Sequence, residues 1–566
     1  MKKCYHSHSR FKKTNLNFPI PENPHQVRYH RKHVPINPDA IIIGSGMGGL
    51  TTAALLTLAG KKVVVLEKHT VAGGATHCFQ EFGIEFETGL HYLGNLHKRK
   101  PIFDLLTRRK LNWCQLGHEN PAKFIYDRIY IGDQVYEFPS GEENLILYLG
   151  DLFPQEKKGI RQYFQLVKKV AQLDKYILLK CFPFHLPEGL TKLLFPEYYH
   201  YCGTSTLEVI KHYITHPELI SVLCGQFGDY GKSPSESSFW IHANIVNHYL
   251  QGGWYPEGGS GKIAEYISET IWSGGGAVLV GQGVKEILVD TDNRAYGIKL
   301  DNGHYLKAPQ IVSGTGYRNT FRNLIRQSQV PEKYRDILHQ VPPSVQHIYA
   351  FLKLEGSPEK LKLPSSNAWI YPHGNFDKLM VDLESDPIEA PLPMFIGFSC
   401  AKDYKWSSHY PGFSNAVILA PVSKEVFQDW EDKRIMKRGE DYENLKNIYL
   451  ERMLREGLFK IRPDLEGKVL DQNVATPLTT QYYLNSTEGE SYGLDTNLYR
   501  LTEGNHLRIP TEIKNLYLTG QDVCTMGVTG AMMGGILTCQ VLLGYDNLGD
   551  ILLGNNIVKD LIKKYE

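Results

Sequence analysis

The sequence predicts an α/β fold built on a doubly wound parallel sheet, with a second α+β region inserted into it. Three observations carry that prediction. Asp39–Ile43 is a short apolar strand that runs directly into a glycine turn, Gly44-Ser-Gly-Met-Gly-Gly49, and a small-residue helix, Leu50–Ala59. Lys61–Glu67 follows, and its Val63–Leu66 run is continuously apolar, as a parallel strand buried on both faces must be. An acid, Glu67, closes this second strand, completing a βαβ unit of about thirty residues.

The 566-residue chain is too long for one core. Its net charge of +1 gives no global field for nucleic acid. Nine scattered cysteines without a C-x-x-C pair read as reduced thiols in a cytoplasmic setting, not as a disulfide framework or a zinc site. Residues 1–36 form a basic leader without the apolar core of a signal peptide, expected to be flexible and able to meet anionic lipid. Ala40–Gly60 carries no charge, but its four glycines break it into strand, turn and helix, not a membrane span.

Further along, Gln162–Lys180 is predicted as an amphipathic helix, and the apolar, proline-broken stretch about 176–200 as core or a membrane-facing lid. A second glycine block, 252–261, precedes a helix at Lys262–Trp272. Strands are predicted at Ala277–Val280, Val284–Asp290, Ala295–Leu300 and Gln310–Ser313. A charged helix follows at Asp441–Glu456. Asn515–Asp522 then repeats the strand-and-glycine opening, with a glycine-spaced helix to Leu543.

The chemistry lies in the glycines. Gly44, Gly46 and Gly49 fit G-x-G-x-x-G, with Gly48 between them, after a strand and at the head of a helix. Gly44 permits the tight turn, Gly46 lets a pyrophosphate approach the backbone, and Gly49 lets helix and strand close up. The phosphates of a dinucleotide would rest on the free N–H groups of the helix start. Glu67 would take a ribose hydroxyl and would repel a 2′-phosphate. FAD is favoured over NAD by three features. Glu67-Lys68 leads to a second glycine pair, Gly73-Gly74, followed by Ala75 and Thr76. The strand at Val284 stands where the adenine side is expected. Gly520 and Asp522 place an acid near the ribityl or pyrophosphate. Gly258-Gly-Ser-Gly-Lys262 imitates a phosphate loop, but its spacing is wrong and Ile263 replaces the Ser or Thr. With no second nicotinamide domain visible, NAD(P)H could serve only as a transient electron donor. No metal-ligand spacing occurs.

Specific segments add a resemblance: Gly73-Gly-Ala-Thr-His-Cys-Phe79, Phe86-Glu-Thr-Gly-Leu-His-Tyr-Leu-Gly94, Phe227-Gly-Asp-Tyr-Gly231, Gly252-Gly-Trp-Tyr-Pro-Glu-Gly-Gly259, Lys437-Arg-Gly-Glu-Asp-Tyr442 and Leu516-Tyr-Leu-Thr-Gly-Gln-Asp-Val523. From about Asp39 to Gly544 the chain resembles the phytoene desaturase and carotenoid isomerase superfamily, and within it the retinol saturase branch. Ala75 and Thr76 stand where many desaturases carry Arg and a further residue, which argues against ordinary phytoene desaturation. The resemblance implies a Rossmann-type FAD-binding domain of the glutathione-reductase-like or amine-oxidase-like kind, assembled from 37–100, 252–320 and 500–545. A substrate-binding domain from 101–251 and 321–499 would complete it, with a tail at 546–566. It implies an FAD-dependent oxidoreductase acting on C=C bonds of an apolar retinoid or carotenoid-type polyene, a saturase first, with a desaturase or a cis–trans isomerase as the alternative. An amine oxidase or a flavin-holding structural protein is less favoured. Saturation needs a proton as well as a hydride. His91 and Tyr92 are nominated to supply it, with Tyr255 and Glu257 behind them. A substrate dissolved in lipid would also bring the protein to a membrane surface peripherally.

Overall fold

The computed structural model describes residues 17–173, 180–181, 188–502 and 507–544. The tail at 546–566, the first part of the basic leader and part of the proline-broken stretch lie outside them.

The predicted βαβ unit is the centre of a five-stranded sheet in the order Ala277–Leu279, Val63–Leu66, Ala40–Ile43, Gln310–Ser313, Leu516–Leu518, all parallel. Every residue of the two founding strands is buried, and the alternation of side chains decides against what. Ala40, Ile42, Val63 and Val65 face a layer of three helices, Met47–Leu58, Gly261–Ser273 and Gly527–Leu543. Ile41, Ile43, Val64 and Leu66 face the opposite side, where Ile287, Ile298 and Leu300 of a three-stranded antiparallel sheet cover them. This two-sided burial is why the strands read as continuous apolar runs.

A second sheet has seven strands, in the order Val469–Ala475, His347–Glu355, Phe413–Pro421, Met394–Gly397, Asn367–Tyr371, Ile125–Ile131, Gln134–Pro139. Asn367–Tyr371 and Ile125–Ile131 are its parallel pair. A short sheet, Leu93–Gly94 with Gly253–Pro256 and Trp113–Gln115, ties the second glycine block to the segment that carries His91 and Tyr92. The block is thus a strand and a turn into a helix.

Several expectations shift. The amphipathic helix begins at Lys157 rather than Gln162, because Ile160, Tyr163, Phe164, Val167 and Val170 form its buried stripe, and it ends at Ala171; residues 174–179 of the predicted helix lie outside the described residues. The charged helix spans Glu440–Arg452 and passes into a π-helical turn, Met453–Leu458. The leader is not free throughout. From Phe18 it lies against the end of the helix Gly261–Ser273 and the exit of the strand Ala277–Leu279: Phe18 N–H donates to Ser273 O at 3.1 Å, Tyr29 N–H to Val280 O at 2.9 Å, and Trp272 Nε1 to Pro24 O at 3.0 Å. Its basic side chains obscured this in the sequence, since the docking is made by backbone groups. Among the described residues no helix is long and apolar enough to cross a membrane. No cluster of His, Cys, Asp or Glu there could hold a metal. The eight described cysteines are free thiols.

Candidate active site

The glycines divide into those that pack and those that face open space. A Cβ at Gly49 would stand 2.2 Å from Gly44 O, and one at Gly48 would stand 2.5 Å from Gly520 Cα. These two positions let the first helix close onto its strand turn and onto the last strand's exit. Gly46, the N-cap of that helix, would meet nothing within 4 Å, and the same holds for Gly520 and Gly527. Gly74 approaches from across the gap, its Cβ position 3.0 Å from Gly46 Cα. Open space before a helix N-terminus, walled by backbone alone, fits a pyrophosphate.

Glu67 stands at the rim. Its Oε2 accepts from Ser45 N–H at 2.9 Å and Ser45 Oγ at 2.6 Å, and its Oε1 accepts from His69 N–H at 2.8 Å. Ser45 Oγ also accepts from Gly73 N–H at 3.1 Å, so the acid, the first glycine turn and the second glycine pair are one hydrogen-bonded unit. The carboxylate keeps lone pairs for a ribose. The approach to Val284 runs beside it, because Gln282 N–H donates to Glu67 O at 2.9 Å. Lys68 reaches outward to Asn485 Oδ1 at 2.9 Å. Thr76 Oγ1 bonds Gly73 O at 2.8 Å and braces the turn, while Ala75 lies against Gly89, two residues before His91. Asp522 is buried. Its Oδ2 accepts from Tyr317 N–H at 2.7 Å and its Oδ1 from Leu494 N–H at 2.9 Å, so its side chain staples two loops under Gly520.

Next to this cradle lies a cavity of about 680 Å³. Leu90–Leu93 and the start of the last helix, Met526–Gly530, form its wall on the cradle side. Trp369, Tyr371, Phe395 and Tyr492 form the wall on the side of the seven-stranded sheet. His91 faces this cavity. Its Nδ1 lies 3.3 Å from Glu87 Oε1, and its Nε2 is buried with no partner among the described residues. Burial pushes the Glu87 carboxyl up, but the hydrogen bond and charge of His91 and the charge of Lys402 outweigh it and hold the group below its usual range. Lys402 is itself buried, which lowers it to about 8, and its Nζ donates to His91 O at 2.9 Å. His347, also on the cavity, is pushed down to about 4 by burial and then by the nearby His91.

Tyr92 also lines the cavity. Its ring stacks on Tyr249 at 4.2 Å, and its hydroxyl is turned between two carboxyls, 3.0 Å from Asp127 Oδ2 and 3.0 Å from Asp229 Oδ2. Neither aspartate is singled out by sequence reasoning. Asp229 stood in a matched motif, Phe227–Gly231, but its partner is more than a hundred residues away on a strand. Tyr255 is buried in the small sheet, and Glu257 pairs with Lys405 at 2.9 Å.

Residues 47–543 match the family model described as flavin containing amine oxidoreductase. The chain belongs to this family. It is an FAD-dependent oxidoreductase. A curated relative named all-trans-retinol 13,14-reductase, from Rattus norvegicus, is 37% identical over 94% of this chain and 90% of its own length. A Danio rerio protein named inactive all-trans-retinol 13,14-reductase is 32% identical over 96% and 92%. Among solved structures, cyclohexylamine oxidase from Brevibacterium oxydans aligns with a TM-score of 0.57 at 14% identity, over 91% of this chain and all of that one. At that identity the likeness is one of fold. The flavoprotein's parallel five-stranded sheet and mixed seven-stranded sheet make up that amine-oxidase-like fold.

Proposed function

We propose that this flavoprotein saturates one C=C bond of a retinoid-type polyene. The observation that carries the reading is the cavity. It is lined by the rings of Tyr92, Phe227, Tyr249, Trp369, Phe395 and Tyr492 together with polar and charged groups, among them His91, Asp229 and His347, and it reaches Leu90–Leu93 and Met526–Gly530. Its volume falls in the range of pockets that enclose a single elongated apolar molecule. When bound and reduced, the flavin supplies a hydride from N5.

The chain's own residues do the rest. Gly44, Gly46, Gly48 and Gly49, with Glu67, Lys68, Gly73–Thr76, Val284, Gly520 and Asp522, are the set assigned to holding FAD. The aromatic wall orients the polyene and excludes water. The His91–Tyr92 segment lines the cavity, braced by Glu87 and Lys402, and this reading has it supply the proton or position the group that does. The electron donor would be NAD(P)H visiting transiently or another reductant.

The test is anaerobic. The flavin is reduced with dithionite, all-trans-retinol is added, and the product is weighed by mass spectrometry. A product two mass units heavier is expected. An isomer of unchanged mass would replace this reading with an isomerase, and a lighter product formed by oxidised enzyme would replace it with a desaturase. No product under any of these conditions would align the chain with its inactive relative.

A lipid-soluble substrate also implies peripheral contact with a membrane. The short helix Glu188–Leu194 supports this by exposing Leu190, Leu193 and Leu194. Co-sedimentation with anionic liposomes, reduced in high salt, is expected. A protein left wholly in the supernatant at low salt would remove this part of the proposal.

A further inference from the structure

Asp127 and Asp229 approach Tyr92 from separate elements. Asp127 lies on the strand Ile125–Ile131 and is fully buried. Its Oδ1 accepts from Asn367 Nδ2 at 2.8 Å and its Oδ2 from Gln226 Nε2 at 2.8 Å. Asp229 sits in the turn Phe227–Asp229 and lines the cavity. Among the described residues no amide or cation bonds its carboxyl. Its one recorded partner is the Tyr92 oxygen, 3.0 Å away.

A phenol has one proton and cannot donate to two carboxylates. All three groups are satisfied in one arrangement. Asp229 is protonated and donates to Tyr92 Oη, and Tyr92 donates to Asp127, whose charge the two amides hold. The electrostatics agree. Burial first, then the charge of Asp127, push Asp229 well above the carboxylate range, while the donors around Asp127 limit it to about 6. Two like-charged groups sharing a buried site keep one proton between them.

We propose that Asp229 is the acid of the reaction, a protonated carboxyl that touches the polyene and is held in that state by Tyr92 and Asp127. The inference rests on the saturase reading and deepens it. The two electrons of the C=C π bond form a new C–H bond with the proton of Asp229. The adjacent carbon gains its C–H bond from the hydride of the reduced flavin, so the polyene is reduced by two electrons and the flavin oxidised by two. Asp229 is left as a carboxylate and regains a proton from water once the product has left. Tyr92 is then a positioning residue.

The experiment has one arm that needs no turnover. Infrared spectroscopy of the purified holoenzyme at neutral pH should show the stretch of a protonated carboxyl, shifted in D2O and missing in Asp229→Asn. In single-turnover reoxidation of the reduced flavin by retinol, Asp229→Asn should be slower by about 10²–10⁴, with retinol Kd changed less than about threefold. Tyr92→Phe keeps the stacked ring, guards against misfolding of the first variant, and should shift the carboxyl band. The proposal is overturned if the band persists in Asp229→Asn, if the loss appears only in Kd, or if Tyr92→Phe leaves the band in place. A wild-type enzyme that yields no heavier product defeats the saturase reading instead, and the infrared result then still reports the state of Asp229.

Discussion

Gly46 and Gly48 are two residues apart in one turn, yet the structure gives them opposite duties. Gly46 has φ −61° and ψ 171°, a conformation open to any residue, and a side chain there would meet no atom within 4 Å. Gly46→Val should therefore leave the stability of the flavin-free protein within about 0.5 kcal/mol, as at a site without packing. Its branched side chain would fill the space before the helix N-terminus, and flavin binding should be lost. At Gly48 the added Cβ would lie 2.5 Å from Gly520 Cα and 2.6 Å from Gly520 N, both backbone atoms that cannot rotate away. Overpacking of this kind costs about 1–3 kcal/mol, and Gly48→Ala should fall at the upper end because two elements must separate. Flavin-free protein of each variant would be compared by urea unfolding, and flavin binding followed by quenching of its fluorescence. If Gly46→Val unfolds the apoprotein, or binds FAD like wild type, the division between packing and cradle glycines is wrong. Equal stability of Gly48→Ala and wild type would refute the other half.

Asp522→Ala should destabilise the protein even without flavin, because the amides of Tyr317 and Leu494 each lose a buried acceptor at about 1–3 kcal/mol. An apoprotein as stable as wild type would show that the acid serves the cofactor alone. Stability should also fall in mild acid. His242, held between the hydroxyls of Tyr163 at 2.7 Å and Tyr230 at 3.1 Å, and His248, which accepts from Gly94 N–H at 2.8 Å, are both lowered to about 3 by burial. Their folded-state pKa lies below the unfolded value near 6.5, so the stability they permit is complete above that pH and is lost as pH falls toward 3. At pH 5 the loss is about 2 kcal/mol for each. His242→Gln should flatten the fall in Tm between pH 7.5 and pH 5, and an unchanged slope would count against it.

The cofactor half of the molecule was readable because its signals are local. The Gly44–Gly49 turn, the apolar run of Val63–Leu66 and the closing Glu67 lie within about thirty residues, and each reports a backbone requirement that composition alone can meet. The cavity was not, since the groups around it depend on distant pairings. Asp127 and Asp229 meet only because a strand and a turn are brought together around Tyr92. Lys402 reaches His91 O from more than three hundred residues away. A single lysine at the end of Ser399-Cys-Ala-Lys402 gives no sign that it will be buried. Tyr92 could be nominated from its neighbourhood, but the direction of its hydroxyl is a tertiary fact. Helix ends slipped for a similar reason: the buried stripe of Lys157–Ala171 begins earlier than the charge pattern suggests.

The docked part of the leader has a practical consequence for how the protein can be cut. Ala277–Leu279 is the outermost strand of the parallel sheet, and just beyond its end Val280 N–H donates to Val27 O while Tyr29 N–H donates to Val280 O, a parallel bridge with Arg28. A shortened form beginning at Asp39 would lose that pairing and leave the backbone of Val280 open, with Trp272 deprived of its partner at Pro24. Unpaired strand edges template pairing between molecules. Such a form should precipitate during expression, whereas one that begins ahead of Phe18 should stay dispersed. The segment thus acts as a solubility guard for the sheet it borders.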